Sequence, residues 1–509
     1  MSVNPTSIGR RMAAGSALMV CAKVLTRGLH FLGTIVIARV LVPEDFGIIA
    51  LAIALQAIVQ TFGHAGVHLA LIRDQNATRV HYDSVWTFGL IRGAATAALF
   101  VVIAPYVAEW FDEPRLQSVI FVFAGITLIR PIENVGIIDF RKHLQFSKDF
   151  AFQFYIQIPN FLATVTLAFL LKSYWAIVIG MCVERVAAIS LSYVLSDYRP
   201  RLSVAAWREL FDFSKWMLIG NIFTSLSGRA DTFVIGKLTD SAALGLYSIA
   251  FRTSNLLVEQ IVEPAIRPLL PGLSKLQDNR EEFERIFVDA LSLLIFVSAP
   301  IAIGVACTAE LLIEILFGKQ WIMAVGLLEV LALYTVIRAC LAGTVSAVIA
   351  VGKPKIVALL SVIRFVILIP LLIWGVWAAG PFGAALALLA SGIFRLIPNF
   401  VVITRVIGIR ASRLFSAIWR TFVSTAIMAG IIYVVRENQI QTGEFLVLLF
   451  HITILAGLGA VVYAVCLFLL WAICRFPQGP ERRAIAIVRE AAHGFSSWAK
   501  APMNWRTER

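Results

Sequence analysis

The stretch Ile37-Ala-Arg-Val-Leu-Val-Pro-Glu-Asp-Phe-Gly47 returns, 198 residues later, as Ile235-Gly-Lys-Leu-Thr-Asp-Ser-Ala-Ala-Leu-Gly245. Under this shift a small residue, a basic residue and a closing glycine coincide. Apolar segments flank both copies, and the shift lays six of them over six others in unchanged orientation. Because six is even, the sequence predicts two parallel repeats about an axis along the membrane normal, with a binding site between them.

The composition requires a membrane as solvent for most of the chain. Hydrophobic residues make up 59% of the 509 residues, charged residues only 15%, and the mean hydropathy is +0.84. Apolar segments of about 20 residues, enough to cross a hydrocarbon core of roughly 30 Å, recur from Ala13 to Cys474. We therefore predict an all-α integral membrane protein with about fourteen transmembrane helices, arranged as two six-helix lobes and two additional C-terminal helices.

The chain divides into four predicted parts. The linker around 196–210 is rich in Arg and Pro and separates the lobes. The parts are an N-terminal lobe at 13–196, a C-terminal lobe at 211–405, two additional transmembrane helices at 411–474 and a basic cytoplasmic tail at 475–509.

Lys and Arg sort by loop, which predicts the orientation. One set of alternate loops holds most of the basic residues. The opposite set holds only Arg115, Lys172, Lys237, Lys319 and Arg436. By the positive-inside rule both termini are cytoplasmic. The net charge of +13 is then a topology signal and does not call for a nucleic-acid partner.

Polar residues also recur inside four predicted spans at helical spacing. They lie at Lys23, Arg27, His30 and Thr34 in the first span, at Gln56, Gln60, His64 and His68 in the second, at Asn221, Thr224, Ser225 and Thr232 in the seventh, and at Arg252, Asn255, Glu259, Glu263 and Arg267 in the eighth. Arg229 and Asp231 lie on the flanks of the face in the seventh span. A charge at the bilayer centre costs at least about 2.5 kcal/mol, so these groups should face one another or water. Either the four faces line a shared cavity, or they join helices through hydrogen bonds without any ligand.

Basic residues outnumber acidic ones inside the spans, which favours an anionic group such as a diphosphate, because Arg offers forked hydrogen bonding. The candidates for this role are Lys23, Arg27, Arg229 and Arg252. The polar lining is assigned to His30, Gln56, Gln60, His64, Asn221 and Asn255. Proton or cation exchange is assigned to Asp231, Glu259 and Glu263.

Other intramembrane charges have simpler explanations. Arg92 and Arg364 lie about two turns inside their spans, where a long side chain either reaches the interface or faces the interior. Arg130 and Glu133, three residues apart, are expected to neutralise each other on one helix. His64 and His68 have no third ligand nearby, so neither a metal site nor a cofactor is predicted. No GxxxxGK[ST] motif occurs, and no loop is long enough for a catalytic domain; we predict no catalytic residue and no enzyme.

Several short motifs, in this order, resemble a known family. Besides the stretch at 37–47, they are Asp231-Thr-Phe-Val-Ile-Gly-Lys237, Leu244-Gly-Leu-Tyr-Ser-Ile-Ala250, Pro268-Leu-Leu-Pro-Gly-Leu-Ser274 and Leu316-Phe-Gly-Lys-Gln-Trp321. With them the chain resembles the polysaccharide flippases of the multidrug/oligosaccharidyl-lipid/polysaccharide exporter superfamily, particularly its exopolysaccharide and lipopolysaccharide exporters.

This resemblance implies two six-helix bundles around a central cavity lined by the first, second, seventh and eighth helices. It also implies a bacterial inner-membrane protein that moves undecaprenyl-diphosphate-linked oligosaccharide units to the periplasmic leaflet by alternating access. Polysaccharide polymerase and export machinery are candidate partners, beside the membrane lipids. A multidrug or toxin antiporter of the same superfamily, and a membrane glycosyltransferase or polymerase, are the competing functions.

Overall fold

The computed structural model describes residues 25–63, 78–142, 145–205, 225–257, 262–266, 268–437, 445–477 and 479–483. These ranges contain no β-strand and are mostly helical, as the composition predicts. Four of the predicted site residues, Lys23, His64, Asn221 and Glu259, lie outside the described residues.

The long helices are labelled here in chain order. They are α1 (25–40), α2 (Pro43–Gly63), α3 (Arg79–Trp110), α4 (Pro114–Ile129), α5 (Phe146–Leu171), α6 (Trp175–Leu195), α7 (225–238), α8 (Ser241–Leu257), α9 (Arg280–Cys307), α10 (Val325–Leu341), α11 (354–378), α12 (381–401), α13 (Ala411–Glu437) and α14 (Phe445–Ile473). Short helices lie at Ile138–Lys142, Glu263–Ile266, Leu269–Ser274, Ala309–Leu316 and Thr344–Ala350.

Within the described ranges, ten helices are long and apolar enough to cross a membrane. One of the ten covers both α11 and α12, and the described parts of α1, α7 and α8 are not among them. The prediction of an all-α membrane protein is confirmed, and the count of fourteen is consistent with these helices.

Helices α11 and α12, which together span Pro354–Val401, are separated by Ala379 and Gly380, whose backbone angles are not helical. Gly380 has a φ of +57°, which a residue without Cβ adopts at little cost. Near the break, the backbones of α11 and α12 are in contact at Gly375 and Gly383. The contact is so close that a Cβ on Gly383 would lie 1.7 Å from the carbonyl oxygen of Gly375. The break and the glycine contact together make a tight hairpin.

The chain forms two compact units. The first comprises Met1–Phe251, Leu316–Leu327 and Ser361–Leu388, and the second comprises Arg252–Ile315, Leu328–Leu360 and Leu389–Arg509. They are not the lobes of the sequence repeat, whose boundaries stay a prediction.

In the first unit, α3 packs along α4 and α5 along α6. The α1–α2 connection meets the α7–α8 connection in a reciprocal pair of contacts. We call residues 38–47 the first corner and residues 236–245 the second corner. A Cβ on Gly47 would lie 1.8 Å from the Ser241 carbonyl oxygen, and a Cβ on Gly245 would lie 1.8 Å from the Pro43 carbonyl oxygen.

The 198-residue register of the sequence repeat relates these two contacts. Pro43 corresponds to Ser241, and Gly47 corresponds to Gly245. The corners therefore meet backbone to backbone around a local two-fold axis, and the repeated glycines are what allow it. Below them, Gly236 packs on Leu51, whose Cδ2 would lie 2.6 Å from a Cβ at that position.

In the second unit, α9, α13 and α14 pack side by side. The Tyr463 hydroxyl of α14 donates to the Phe296 carbonyl oxygen of α9 at 2.8 Å. After α14 the chain folds back against α13. There the Arg420 guanidinium donates to both carboxylate oxygens of Glu481, at 2.7 and 3.1 Å, and each of these side chains is only 5% exposed.

Candidate functional site

Asp231 on α7 is the most enclosed of the described candidate residues. The residue is 5% exposed, and its carboxylate accepts from the Tyr247 hydroxyl of α8 at 2.6 Å and from the Thr232 N–H at 2.9 Å. Arg229 and Arg364 are its cationic neighbours. Two guanidinium groups thus lie near one buried carboxylate, so the net charge of these three side chains is positive.

Helix α1 contributes Arg27 and His30. Arg27 is half-buried and His30 is exposed. The His30 imidazole lies 3.3 Å, Nδ1 to Nε2, from the amide of Gln157 on α5. The Thr34 hydroxyl donates back to the His30 carbonyl at 2.9 Å, so this stripe residue is satisfied within its own helix.

Gln56 and Gln60, the predicted polar lining of α2, are both half-buried. The Gln60 amide oxygen accepts from Nη1 of Arg130 at 2.7 Å. Gln60 therefore faces the interior of the first unit, where it binds Arg130. The sequence analysis paired Arg130 with Glu133 and did not predict this contact.

Arg252, Asn255 and Glu263 belong to the second unit. Arg252 is exposed, and the half-buried Asn255 accepts from the guanidinium of Arg338 on α10. Glu263 is exposed and lies in the helical segment Glu263–Ile266. Glu259, which lies between Asn255 and Glu263 in the expected stripe, is outside the described residues, so the single stripe along the eighth span stays a prediction.

The α3–α4 turn covers the second corner with charged groups. The Ser241 hydroxyl donates to Glu113 at 2.7 Å, and Arg115 holds the same carboxylate through two hydrogen bonds of 2.7 and 2.8 Å. Burial alone would raise the pKa of Glu113, but the hydrogen bonds from Arg115 and Ser241 hold it below its ordinary value. Beside them Lys237 pairs with Asp112 at 3.0 Å.

The connection before α10 covers the first corner with neutral donors. The buried Trp321 indole N–H donates to the Ala38 carbonyl at 2.7 Å. The Gln320 amide donates to the same carbonyl at 2.5 Å and to that of Leu41 at 3.2 Å. The Trp321 ring packs edge-on against Phe46, with centroids 5.1 Å apart.

Sequence spacing did not identify four side chains that complete these arrangements. Tyr247 and Arg364 surround Asp231, Gln157 meets His30, and Arg338 meets Asn255. Helical spacing relates residues on one helix, whereas all four pairings join different helices. For metal ions, the described residues contain no group of three His, Cys, Asp or Glu side chains that could bind one.

A family model described as "Polysaccharide biosynthesis protein" matches residues 36–326, more than half of the chain. The chain belongs to this family. The match includes both corners and the charged turn that covers the second.

Two curated relatives extend the similarity. Lipopolysaccharide biosynthesis protein WzxC of Escherichia coli is 20% identical over 442 residues, which cover 85% of this chain and 90% of that protein. Succinoglycan biosynthesis transport protein ExoT of Rhizobium meliloti is 24% identical over 336 residues, which cover 65% of this chain and 67% of that protein. The family and these relatives confirm the prediction of a membrane transporter rather than an enzyme.

Solved structures confirm the fold class. The lipid II flippase MurJ in an inward closed conformation matches with a TM-score of 0.73 at 14% identity, covering 89% of this chain and 98% of that one. An inward-facing multidrug resistance transporter of the MATE family matches with a TM-score of 0.62 at 14% identity. The match covers 74% of this chain and 94% of that one. The chain therefore has the fold of these two transporters and crosses the membrane many times.

Proposed function

We propose that this protein is a flippase for undecaprenyl-diphosphate-linked oligosaccharide repeat units, which it moves from the cytoplasmic to the periplasmic leaflet of a bacterial inner membrane for exopolysaccharide or lipopolysaccharide biosynthesis. The observation that carries the proposal is the positive charge around Asp231, where Arg229 and Arg364 lie against one buried carboxylate. Forked guanidinium groups suit a diphosphate. The names of the two curated relatives are in keeping with this cargo.

Arg27 and Arg229, with Lys23 and Arg252, bind the diphosphate in this proposal, and the polar residues of the four faces contact the sugars. The lipid tail stays in the bilayer. The contacts between the two corners close the end that the loop charges assign to the periplasm, so the headgroup enters from the cytoplasmic end. Separation of the corners would then release it outward, with both chain termini cytoplasmic and the tail free for polymerase or export partners.

Replacement of Arg27 and Arg229 together by Ala tests the diphosphate assignment. In a host whose surface polysaccharide depends on this chain, we expect the double variant to lose most of that polysaccharide and to accumulate lipid-linked units on the cytoplasmic side. The matched control is Arg285→Ala, which removes an exposed guanidinium that pairs with Glu282 on the surface of α9. Normal surface polysaccharide in the double variant, at normal membrane levels, would contradict the assignment.

Asp231 is the described residue best placed to exchange a proton or cation during transport. Its bond from Tyr247 holds the carboxylate in place, and the nearby arginines can compete for it when cargo leaves. We expect Asp231→Asn to make transport in proteoliposomes insensitive to an imposed proton or sodium gradient, and Tyr247→Phe to retain the gradient response. An unchanged response in Asp231→Asn would remove this residue from the coupling step.

The second candidate is a multidrug antiporter, which the fold similarity to the MATE transporter supports. Cationic drugs call for an acidic interior, and the charges around Asp231 are of the opposite sign. Efflux of a cationic dye from cells that express this chain, abolished by Asp231→Asn and indifferent to lipid-linked sugar, would favour the antiporter.

A further inference from the structure

The segment 196–205, which follows α6 in the predicted linker between the lobes, is held against the first unit. We call this segment the strap. The N–H groups of Arg201 and Ser203 donate to Asp83 at 2.7 Å and to Thr87 at 2.9 Å, both on α3. These two acceptors lie about 6 Å apart along their helix, which is close to the length of two extended residues. The strap therefore runs extended along the first turns of α3.

Two buried polar side chains fix the first half of the strap. Asp83 also accepts from the Tyr198 hydroxyl at 2.7 Å. Asn134, in the connection after α4, is fully buried, and its amide donates to the carbonyl oxygens of Tyr198 at 2.5 Å and Ser196 at 3.5 Å. Gly136 leaves room for this arrangement, because a Cβ there would lie 2.3 Å from the Ser196 hydroxyl oxygen. The strap is thus a fixed part of the first unit.

The outer surface of the strap combines basic and apolar side chains. Arg199 and Arg201 are exposed. Arg79 at the start of α3 is exposed too, and its guanidinium donates to the Arg199 carbonyl oxygen at 3.1 Å. Leu202 and Val204 are 75% and 61% exposed. Because alternate side chains of an extended segment lie on the same side, these two apolar side chains share one side of the strap.

The strap lies at the level of a membrane–water boundary. It follows the last residue of one apolar span, Trp175–Leu195, and runs beside the first turns of another, Arg79–Trp110. At this level guanidinium groups meet lipid headgroups, while apolar side chains enter the hydrocarbon. The Arg199 guanidinium donates to the carbonyl oxygens of Ser196 and Tyr198 at 2.7 and 2.9 Å, which orient it without neutralising its charge.

We propose that the strap is a binding surface for anionic phospholipids of the adjacent leaflet, which the loop charges assign to the cytoplasmic side. The three exposed arginines contact the headgroups, and Leu202 and Val204 enter between the acyl chains. An anionic lipid fits better than a neutral one because these arginines stand against Asp197, the exposed acidic residue of the strap. The lipid composition of the leaflet would then act directly on the segment that connects the predicted lobes.

Quenching by brominated lipids tests this surface with the purified full chain in nanodiscs. In a background without the native cysteines, a bimane label at Val204→Cys reports bromine atoms close to the strap. Brominated phosphatidylglycerol and brominated phosphatidylcholine are compared at equal mole fraction, and we expect the anionic lipid to quench more strongly. A basic residue near an anionic surface favours binding about fivefold, so Arg199→Gln with Arg201→Gln should remove most of this preference.

The controls separate the charge of the strap from its structure. Arg199→Lys with Arg201→Lys keeps both charges and should keep most of the preference, whereas a structural role of the forked guanidinium groups would be lost in both double variants. Arg285→Gln removes an exposed arginine of the second unit and should change nothing. A label at Leu162→Cys, exposed in the middle of α5, should be quenched equally by the two lipids.

Three results would overturn the proposal. Equal quenching of the strap label by the two lipids would exclude a preference for anionic lipid. A preference that survives the loss of both arginines would exclude their role. Quenching by neither lipid, with normal quenching at Leu162→Cys, would place the strap in water. Neither lipid carries a diphosphate or a sugar, so none of these results depends on the proposed function.

Discussion

The two corners touch each other symmetrically, but different chemistry covers them. Gly47 meets Ser241 as Gly245 meets Pro43, in the register of the sequence repeat. Over the second corner lie Glu113 with its two donors and the ion pair of Asp112 and Lys237. Over the first lie the neutral donors Gln320 and Trp321. The repeat has preserved the backbone contact while the covering segments diverged, so only one side of this closure should respond to pH.

Substitution of the glycines at the contact between the corners should lower the thermal midpoint more than any other change proposed here. Gly47→Ala or Gly245→Ala places a methyl group 1.8 Å from a backbone carbonyl oxygen, and neither backbone can yield without separating the corners. Overpacking of this kind costs about 1–3 kcal/mol per site. Because the contacts are reciprocal, we expect similar losses in thermal midpoint from both variants and closely coupled effects in the double variant.

The matched control is Gly125→Ala in α4, where a Cβ would meet nothing within 4 Å. Alanine favours a helix over glycine by up to about 1 kcal/mol, so this variant should be unchanged or slightly stabilised. A loss confined to Gly47→Ala or to Gly245→Ala would show that the closure is not symmetric.

The charged groups over the second corner should have the second largest effect. Their contribution to keeping the corners together should depend on pH. The pKa of Glu113 is lowered in the closed arrangement, so its contribution is complete above the ordinary value of 4.5 and is lost as the pH falls through the lowered value. Leu51→Cys, placed under the corners in a background without the native cysteines, reports opening through its labelling rate by an impermeant thiol reagent. The thiolate is the form that reacts, so the rate is expressed relative to that of a free thiol at the same pH, and this relative labelling rate should rise on acidification.

Glu113→Gln provides the comparison for this pH effect. It should raise the labelling rate at neutral pH and remove the rise on acidification, because no carboxylate remains to be protonated. A pH-dependent rise of the same size in Glu113→Gln would assign the titration to another group. The exposed pair of Lys237 and Asp112 adds little, since Asp112 is 82% exposed and pairs of this kind contribute at most about 1 kcal/mol.

Loss of a neutral donor over the first corner should have the smallest effect of the three on the contact between the corners. Trp321→Phe keeps a ring against Phe46 but removes the indole N–H that donates to Ala38, a hydrogen bond that contributes about 1 kcal/mol. We expect a few-fold rise in the Leu51→Cys labelling rate, constant from acidic to neutral pH and at any salt concentration. A salt-dependent rise would mean that the covers over the two corners are not independent.

The sequence predicted the parts of the fold that depend on hydropathy and repetition. Long apolar segments became helices, and the glycines of the repeat became the contact between corners. Partners across helices were not predictable in the same way. Spacing paired Arg130 with Glu133, whose charge does act on Arg130, but it could not show that Glu133 also accepts a hydrogen bond from Arg185 on α6. Likewise Tyr247 reaches Asp231 only because α7 and α8 cross where they do.

The buried pair of Arg420 and Glu481 decides where the tail can be cut. Glu481 is among the last described residues, yet it completes the environment of a guanidinium in the first half of α13. A chain shortened before Glu481 would leave that charge buried and unpaired, at about 3–5 kcal/mol. During synthesis, the Arg420 charge is therefore neutralised only after Glu481 has been made. Truncations meant to test the tail should start after Arg483, or they will report on chain maturation instead.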